Sequence, residues 1–198
     1  MRVRIDLKII FFSIVFYFTN QLRIYLIIML FCIFHEMGHL IIGLILKIKP
    51  EKIEIMPCGL NISFYENTSK YKIKEVFIAL AGPLTSLALA MLCQNINLVY
   101  VTKQEAVYSN ILILLFNLIP IYPLDGGRII KGILEIKLEK TIVEEIIIKI
   151  PYITMVILTM ICSVGVFYYK NFAIFLICIF LWIIVLKEKN VKTLDILQ

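Results

Sequence analysis

From Ile24 to Leu46 the chain is apolar except for one cluster, His35-Glu36-Met37-Gly38-His39, and no other stretch restricts the fold so tightly. Crossing a bilayer takes about 20 apolar residues, so a helix over this run is long enough to span. Two imidazoles four positions apart on a helix are offset by about 6 Å of rise and slightly more than a turn. They therefore leave the same face and can close on one metal ion. Zinc suits neutral imidazole nitrogens, and a pair of histidines leaves room for a third protein ligand and a water. Glu36, next to His35, is placed to take a proton from that water without being a ligand itself. A histidine on an apolar helix is ordinarily a hydrogen-bonded core residue. Here the depth argues otherwise, because an ionic group at the membrane centre costs about 2.5–3.5 kcal/mol on insertion scales and marks a functional position. Three such groups within five positions favour a metal site, and the chemistry that follows is metal-assisted amide hydrolysis. The two histidines of this cluster are the only two in the sequence.

With 61% hydrophobic and 17% charged residues in 198, the chain is too apolar for one soluble domain and reads as an all-α polytopic membrane protein. Six apolar segments are candidate spans, at about Leu7–Phe18, Ile24–Leu46, Val76–Tyr100, Ala106–Tyr122, Ile150–Tyr169 and Phe172–Leu186. With the N-terminus inside, seventeen of the twenty Lys and Arg fall on inner segments, and only Arg23, Lys103 and Lys170 lie outside. That is the asymmetry of the positive-inside rule, so both termini are expected to be cytoplasmic. It also accounts for the net charge of +6 without a nucleic-acid partner. No small-residue cleavage site follows the short first span, which is therefore read as retained. The cysteines Cys32, Cys58, Cys93, Cys162 and Cys178 show no paired C-x-x-C spacing and are read as membrane-buried thiols. Cys32, one turn before His35, is read as a small apolar core residue in preference to a soft ligand.

Between the second and third spans, Ile53 and Ile55 alternate with Lys52 and Glu54. Met56-Pro57-Cys58-Gly59 then supplies turn residues, and Ile62 and Phe64 alternate with Asn61 and Ser63. The pattern predicts a small membrane-associated β-hairpin near the site, with an edge able to pair with an extended peptide. In the third span, Ala81 and Gly82 suit close approach to the motif helix, and Pro83 favours a kink. The fourth span ends in Asn117-Leu118-Ile119-Pro120-Ile121-Tyr122-Pro123-Leu124-Asp125-Gly126-Gly127. Pro120 and Pro123 cannot continue a regular helix, so the backbone opens there, as it does at membrane depth only beside protein or a water-lined cavity. Asp125 is the only aspartate between Asp6 and Asp195. It is either a third zinc ligand or a cap on the helix that begins near Gly126; residue types alone leave the two open. Ile129–Lys149 reads as an amphipathic inner helix whose glutamates form a solvated face.

Taken together, His35-Glu36-Met37-Gly38-His39, Ala81-Gly82-Pro83 and the stretch Asn117 to Gly127 resemble the site-2 protease family of intramembrane zinc proteases. With Met56-Pro57 and six spans, the likeness is to the branch that contains the stage IV sporulation protease. The resemblance covers about residues 1–186 as one intramembrane metalloprotease domain. It implies that His35, His39 and Asp125 bind Zn2+, and that Glu36 activates water. It also implies that Asn117 helps hold the substrate, with Pro120 and Pro123 of the same loop counted among the substrate-binding residues. The implied substrate is a membrane-associated precursor of a sporulation transcription factor, a sigma factor whose pro-segment is removed. The implied partners are membrane proteins that hold the protease inactive. Residues 187–198 are expected to be a short cytoplasmic tail, too short for the C-terminal nucleotide-sensing domain of that branch. The alternative reading is a zinc-binding membrane transporter or regulatory scaffold without protease activity, which needs the ligands but has no use for Glu36 as a base.

Overall fold

The computed structural model describes residues 2–5, 8–18, 20–48, 50–56, 59–64, 72–96, 100–169, 178–179 and 181–186. They fall into two compact units, one ending at Leu118 and the other beginning at Ile119.

The first unit holds β1 (Arg2–Ile5), α1 (Lys8–Phe18), α2 (Leu22–Ile45), β2 (Pro50–Met56), β3 (Gly59–Phe64), α3 (Lys72–Asn95) and α4 (Lys103–Asn117). Its centre is α3, packed against both α2 and α4. In lipid, apolar burial does not drive helices together, so association depends on close packing and on side chains small enough to permit it. The buried stripe of α3 meets that need with Ala79, Ala81, Gly82, Ser86 and Ala90. On α2, Gly38 and Gly43 do the same. A Cβ on Gly38 would overlap Thr85 Oγ1. Larger side chains fill the space between α2, α3 and α4, where Ile27, Phe31, Cys93, Ala106 and Ile113 form one cluster. On the opposite face of α3, Phe77, Leu84 and Met91, seven residues apart, are each more than half exposed. A stripe of that kind is a liability in water and suits a lipid-facing surface.

Helix ends in this unit are closed by specific devices. Lys47 takes a left-handed φ of 60° after α2, Ile48 N–H donates to Gly43 O at 2.9 Å and Lys47 N–H to Leu44 O at 3.0 Å. This pair of bonds is a Schellman closure, which satisfies carbonyls the helix cannot. Lys74 Nζ donates to the Leu46 carbonyl at 3.1 Å, tying the end of α2 to the start of α3. At the other end, Thr102 and Glu105 form a capping box on α4, and Arg23 of α2 pairs with Glu105 at 3.0 Å.

The segment between α2 and α3 contains more than two strands. β2 and β3 pair antiparallel, Ile53 opposite Ile62 and Ile55 opposite Leu60. β1, which the sequence reading left as a charged inner flank, adds to β2 in parallel, giving the order β1-β2-β3. The fold is therefore mostly helical with a three-stranded sheet. Two strands alone are marginal, and a third partner is what such a ribbon needs. β3 lies against α2. Pro57 and Cys58, at the expected bend, lie outside the described residues.

The second unit holds α5 (Asp125–Lys137) and α6 (Lys140–Tyr169), with residues 181–186 also helical. The expected single amphipathic helix over Ile129–Lys149 is two helices. Leu138 is extended, with φ −118° and ψ 158°, and it donates the last bond of α5 to Leu134 O. Val143 N–H then bonds to Glu139 O, starting a new helix. α6 carries the amphipathic segment straight into the fifth expected span and runs through Pro151. Pro83 likewise lies inside α3, which continues on both sides of it.

Among the described residues, three helices are long and apolar enough to cross a membrane: Leu22–Ile45, Lys72–Asn95 and Thr141–Ser163. α4, with 15 residues, reaches only about 22 Å against a hydrocarbon core of about 30 Å. α1, with 11 residues, is shorter still. Most of the sixth expected span and the tail 187–198 lie outside the described residues.

Candidate metal centre

His35 and His39 lie mid-helix in α2, each 2% exposed. The i, i+4 spacing brings their Nε2 atoms to 3.3 Å, with the rings edge to face. What holds them is α3. His39 Nδ1 donates to the Ile78 carbonyl at 2.6 Å, and His35 Nδ1 is hydrogen-bonded to Ser86 Oγ at 2.9 Å. Ile78, Gly82 and Ser86 are spaced by four, so they share a face of α3. The two helices run antiparallel in this pairing, with His39 at Ile78, His35 at Ser86 and Gly82 between. A Cβ on Gly82 would overlap the Nε2 atoms of both histidines. The glycine expected to allow close helix approach therefore lies directly beneath the imidazoles.

This arrangement suits a cation. A carbonyl cannot donate, so the Ile78 contact requires the proton of a neutral His39 to be on Nδ1 and makes Nε2 the nitrogen able to accept a bond or bind a metal. Metal-binding histidines characteristically give their second nitrogen to a carbonyl or hydroxyl in this way. Glu36 follows His35 on α2 and is half-buried.

The remaining candidate residues are placed as follows. Asn117 is the last residue of α4, half-buried, and its amide nitrogen donates to Ile113 O at 3.0 Å. In the second unit, Pro120 and Pro123 occupy an irregular turn that contains the cis peptide Tyr122–Pro123. Ile121 N–H bonds to Ile119 O, and Leu124 N–H to Ile121 O. The turn folds onto α5 at Gly127, where a Cβ would overlap the backbone of Ile121 and Tyr122. Asp125 is the first residue of α5, not its cap; that position belongs to Leu124, which makes no side-chain cap bond. Asp125 is 5% exposed, with Arg128 Nη1 3.6 Å from its Oδ1. It is the only buried carboxylate among the described residues. A negative charge at a helix N-terminus is favoured by the helix dipole.

Sequence reasoning missed the parts that Ser86 and the Ile78 carbonyl play. The available signal was the four-residue spacing of Ile78, Gly82 and Ser86, which matches that of the histidines. Of the thiols, Cys93 and Cys178 are buried, while Cys32 and Cys162 are partly exposed.

Comparison with known proteins gives a consistent result. A Peptidase M50B-like family model matches residues 9–123, and a peptidase family M50 model matches residues 93–158. Stage IV sporulation protein FB of Bacillus subtilis is 27% identical over 116 residues, 57% of this chain and 40% of that protein. A zinc metalloprotease of Methanocaldococcus jannaschii is 28% identical over 121 residues, 58% of this chain and 35% of that protein. The aligned stretches thus span less than half the length of these curated relatives. The solved site-2 protease from Methanocaldococcus jannaschii superposes with a TM-score of 0.67 at 23% identity, covering 94% of this chain and 89% of that one. That likeness is one of fold.

Proposed function

The chain is a member of the Peptidase M50B-like family, and on that footing we propose that it is a membrane-embedded zinc metalloendopeptidase. The reading is carried by the two buried Nε2 atoms that α3 holds face to face. His35, His39 and Asp125 are the ligand set: two imidazoles and the only carboxylate buried among the described residues, a donor combination that zinc accepts. Zinc in such a site supplies a Lewis acid that polarises a carbonyl and makes water nucleophilic near neutral pH. The chain's own residues do the rest. Glu36 takes the proton from the attacking water and returns it to the leaving amine. Ile78 and Ser86 keep the imidazoles aimed. Asn117, at the end of α4, and Pro120 and Pro123, in the irregular turn that follows, are the residues that would hold an extended substrate, because a helical peptide bond must unwind before it can be attacked.

The substrate class is a membrane-associated protein. Within it, the pro-segment of a sporulation sigma-factor precursor is the specific candidate, supported by the motif resemblance and by the sporulation protein among the relatives. The same resemblance supports inhibitory membrane-protein partners. The protein sits in the bilayer as a multi-pass chain with both termini cytoplasmic, and residues 1–186 form the protease domain. The lysine and arginine distribution supports that topology, which reporter fusions at the two ends would test.

The deciding experiment measures zinc per chain and cleavage of a membrane-tethered precursor in wild type, Glu36→Gln and Asp125→Ala. Glu36→Gln should keep zinc and lose on the order of 10²–10⁴-fold in rate, the contribution of a general base. Asp125→Ala should lose both zinc and activity. Unimpaired function in Glu36→Gln would point instead to a zinc transporter or scaffold.

A further inference from the structure

The buried face of α4 carries a polar side chain that its packing leaves unserved. Asn110 is fully buried. It lies between Ala106 and Ile113, one turn away on either side, and both belong to the apolar cluster shared with Ile27 and Phe31 of α2 and Cys93 of α3. The Asn110 amide nitrogen donates to the Ala106 carbonyl at 2.8 Å. That carbonyl only accepts, so the amide is fixed with its nitrogen toward Ala106 and its Oδ1 turned away. Oδ1 has no hydrogen-bond partner among the described residues. A buried acceptor left unpaired is destabilising, whereas an apolar group of the same shape is nearly neutral or better. Leucine has that shape and a higher helix propensity, so packing does not account for an asparagine here. A bound water does not account for it either. Such a water needs several polar partners, and the cluster side chains are apolar apart from one thiol.

Asn117 repeats the pattern. Seven residues on, it returns to the same face of α4 about 10 Å further along the helix, and its amide nitrogen also donates to the carbonyl four positions back, that of Ile113. Both asparagines thus spend an N–H on their own helix and present an oxygen. A substrate segment unwound in the bilayer exposes backbone N–H groups that lipid cannot satisfy. We infer that Asn110 is a positioning residue whose Oδ1 accepts a backbone N–H of the substrate when α4 parts from α2 and α3, extending along the helix the hold that begins at Asn117. The inference rests on the protease reading above. A ligand moves a conformational equilibrium only through a difference in its interactions with the two states. Asn110 supplies that difference, because its oxygen is unpaired in the packed state and paired in the open, substrate-bound one. α4 is suited to the motion: it has 15 residues against 24 in each of α2 and α3, so it has the least packing to give up.

The test uses full-length protein with a membrane-tethered sigma-factor precursor as the probe. Asn110→Leu should raise KM about 10-fold and leave kcat within about twofold, the pattern of lost ground-state binding. The same variant should need more SDS to unfold, because the unpaired acceptor is gone. Asn110→Asp, neutral at this depth, keeps an oxygen for the substrate and an O–H for Ala106, and should bring KM back near wild type. A merely structural role predicts the reverse for leucine, with stability and KM impaired together. Alkylation of Cys93, read by mass spectrometry, follows the parting of α4 without any substrate, since this thiol is buried in the same cluster. Asn110→Leu should slow that reaction about 5-fold. The inference is overturned if Asn110→Leu leaves KM unchanged, if its stability falls, or if Cys93 reacts at the wild-type rate. If wild type cleaves the precursor no faster than Glu36→Gln, the protease reading falls and the inference goes with it.

Discussion

The histidines and the aspartate are buried by opposite means. His35 and His39 stand in the middle of a continuous 24-residue helix, and their direction follows from helix geometry alone. Asp125 opens a 13-residue helix after a turn with two prolines, and its direction depends on how that turn is folded. Mid-helix donors tolerate change in the surrounding chain but not in the helix face they press against. A donor at a loop–helix junction should respond to anything that moves the turn. The two regions also use glycine differently: Gly82 makes room for side chains, whereas Gly127 makes room for backbone.

Substituting Gly82 is the most damaging way to break this contrast. Alanine improves helix propensity by about 1 kcal/mol, yet its methyl would overlap both imidazoles. Zinc measured by elemental analysis should fall to background while the helical circular dichroism is kept. Next is Asp125→Asn, which preserves shape and removes charge. Its zinc affinity should drop steeply, whereas helix stability should change by no more than the dipole term, about 0.3–1 kcal/mol. Gly127→Ala sharpens the comparison. Its methyl meets backbone that cannot rotate aside, so it should destabilise the second unit by about 1–3 kcal/mol, the range for overpacking. The histidine ¹⁵N signals should meanwhile stay as in wild type. Equal loss in the histidine signals for the two glycine variants would erase the distinction between the regions.

The smallest effect concerns the outer end of the first unit. Hydrogen bonds from the Thr102 backbone and side chain, then the nearby Arg23 guanidinium, hold the Glu105 carboxyl below its ordinary value. A lowered folded-state pKa means the stabilisation is complete above the unfolded value and is lost as pH falls through the folded one. The melting temperature should be flat above about pH 5 and decline below it. Glu105→Gln should flatten part of that decline, and the remainder would belong to other carboxylates.

The same contrast explains what could be read in advance. The helix of His35 and His39 was legible because a run of apolar residues this long has few alternatives and the 3.6-residue repeat aims two side chains at once. The close approach at Ala81 and Gly82 was legible as packing, but its beneficiary was not. Sequence carries no record of which neighbour stands over a glycine. The break at Leu138 is not legible because no glycine or proline lies within five residues of it, and Gly132 falls inside α5; the backbone turns there without a residue that demands it. β1 was hidden for a related reason. Four residues with alternating charge at the chain start are too short to announce a strand, and only pairing with the edge of β2 opposite β3 makes them one.

The sequence by itself determined that the chain is membrane-bound, that two histidines share one helix face with a glutamate beside them, and that the chain departs from helix around Pro120 and Pro123. These follow from local periodicity and from proline's missing N–H. Tertiary structure alone decided which α3 groups stand behind the imidazoles, giving His39 a carbonyl and His35 a hydroxyl. Residues 39 and 51 positions apart meet only when two helices pack.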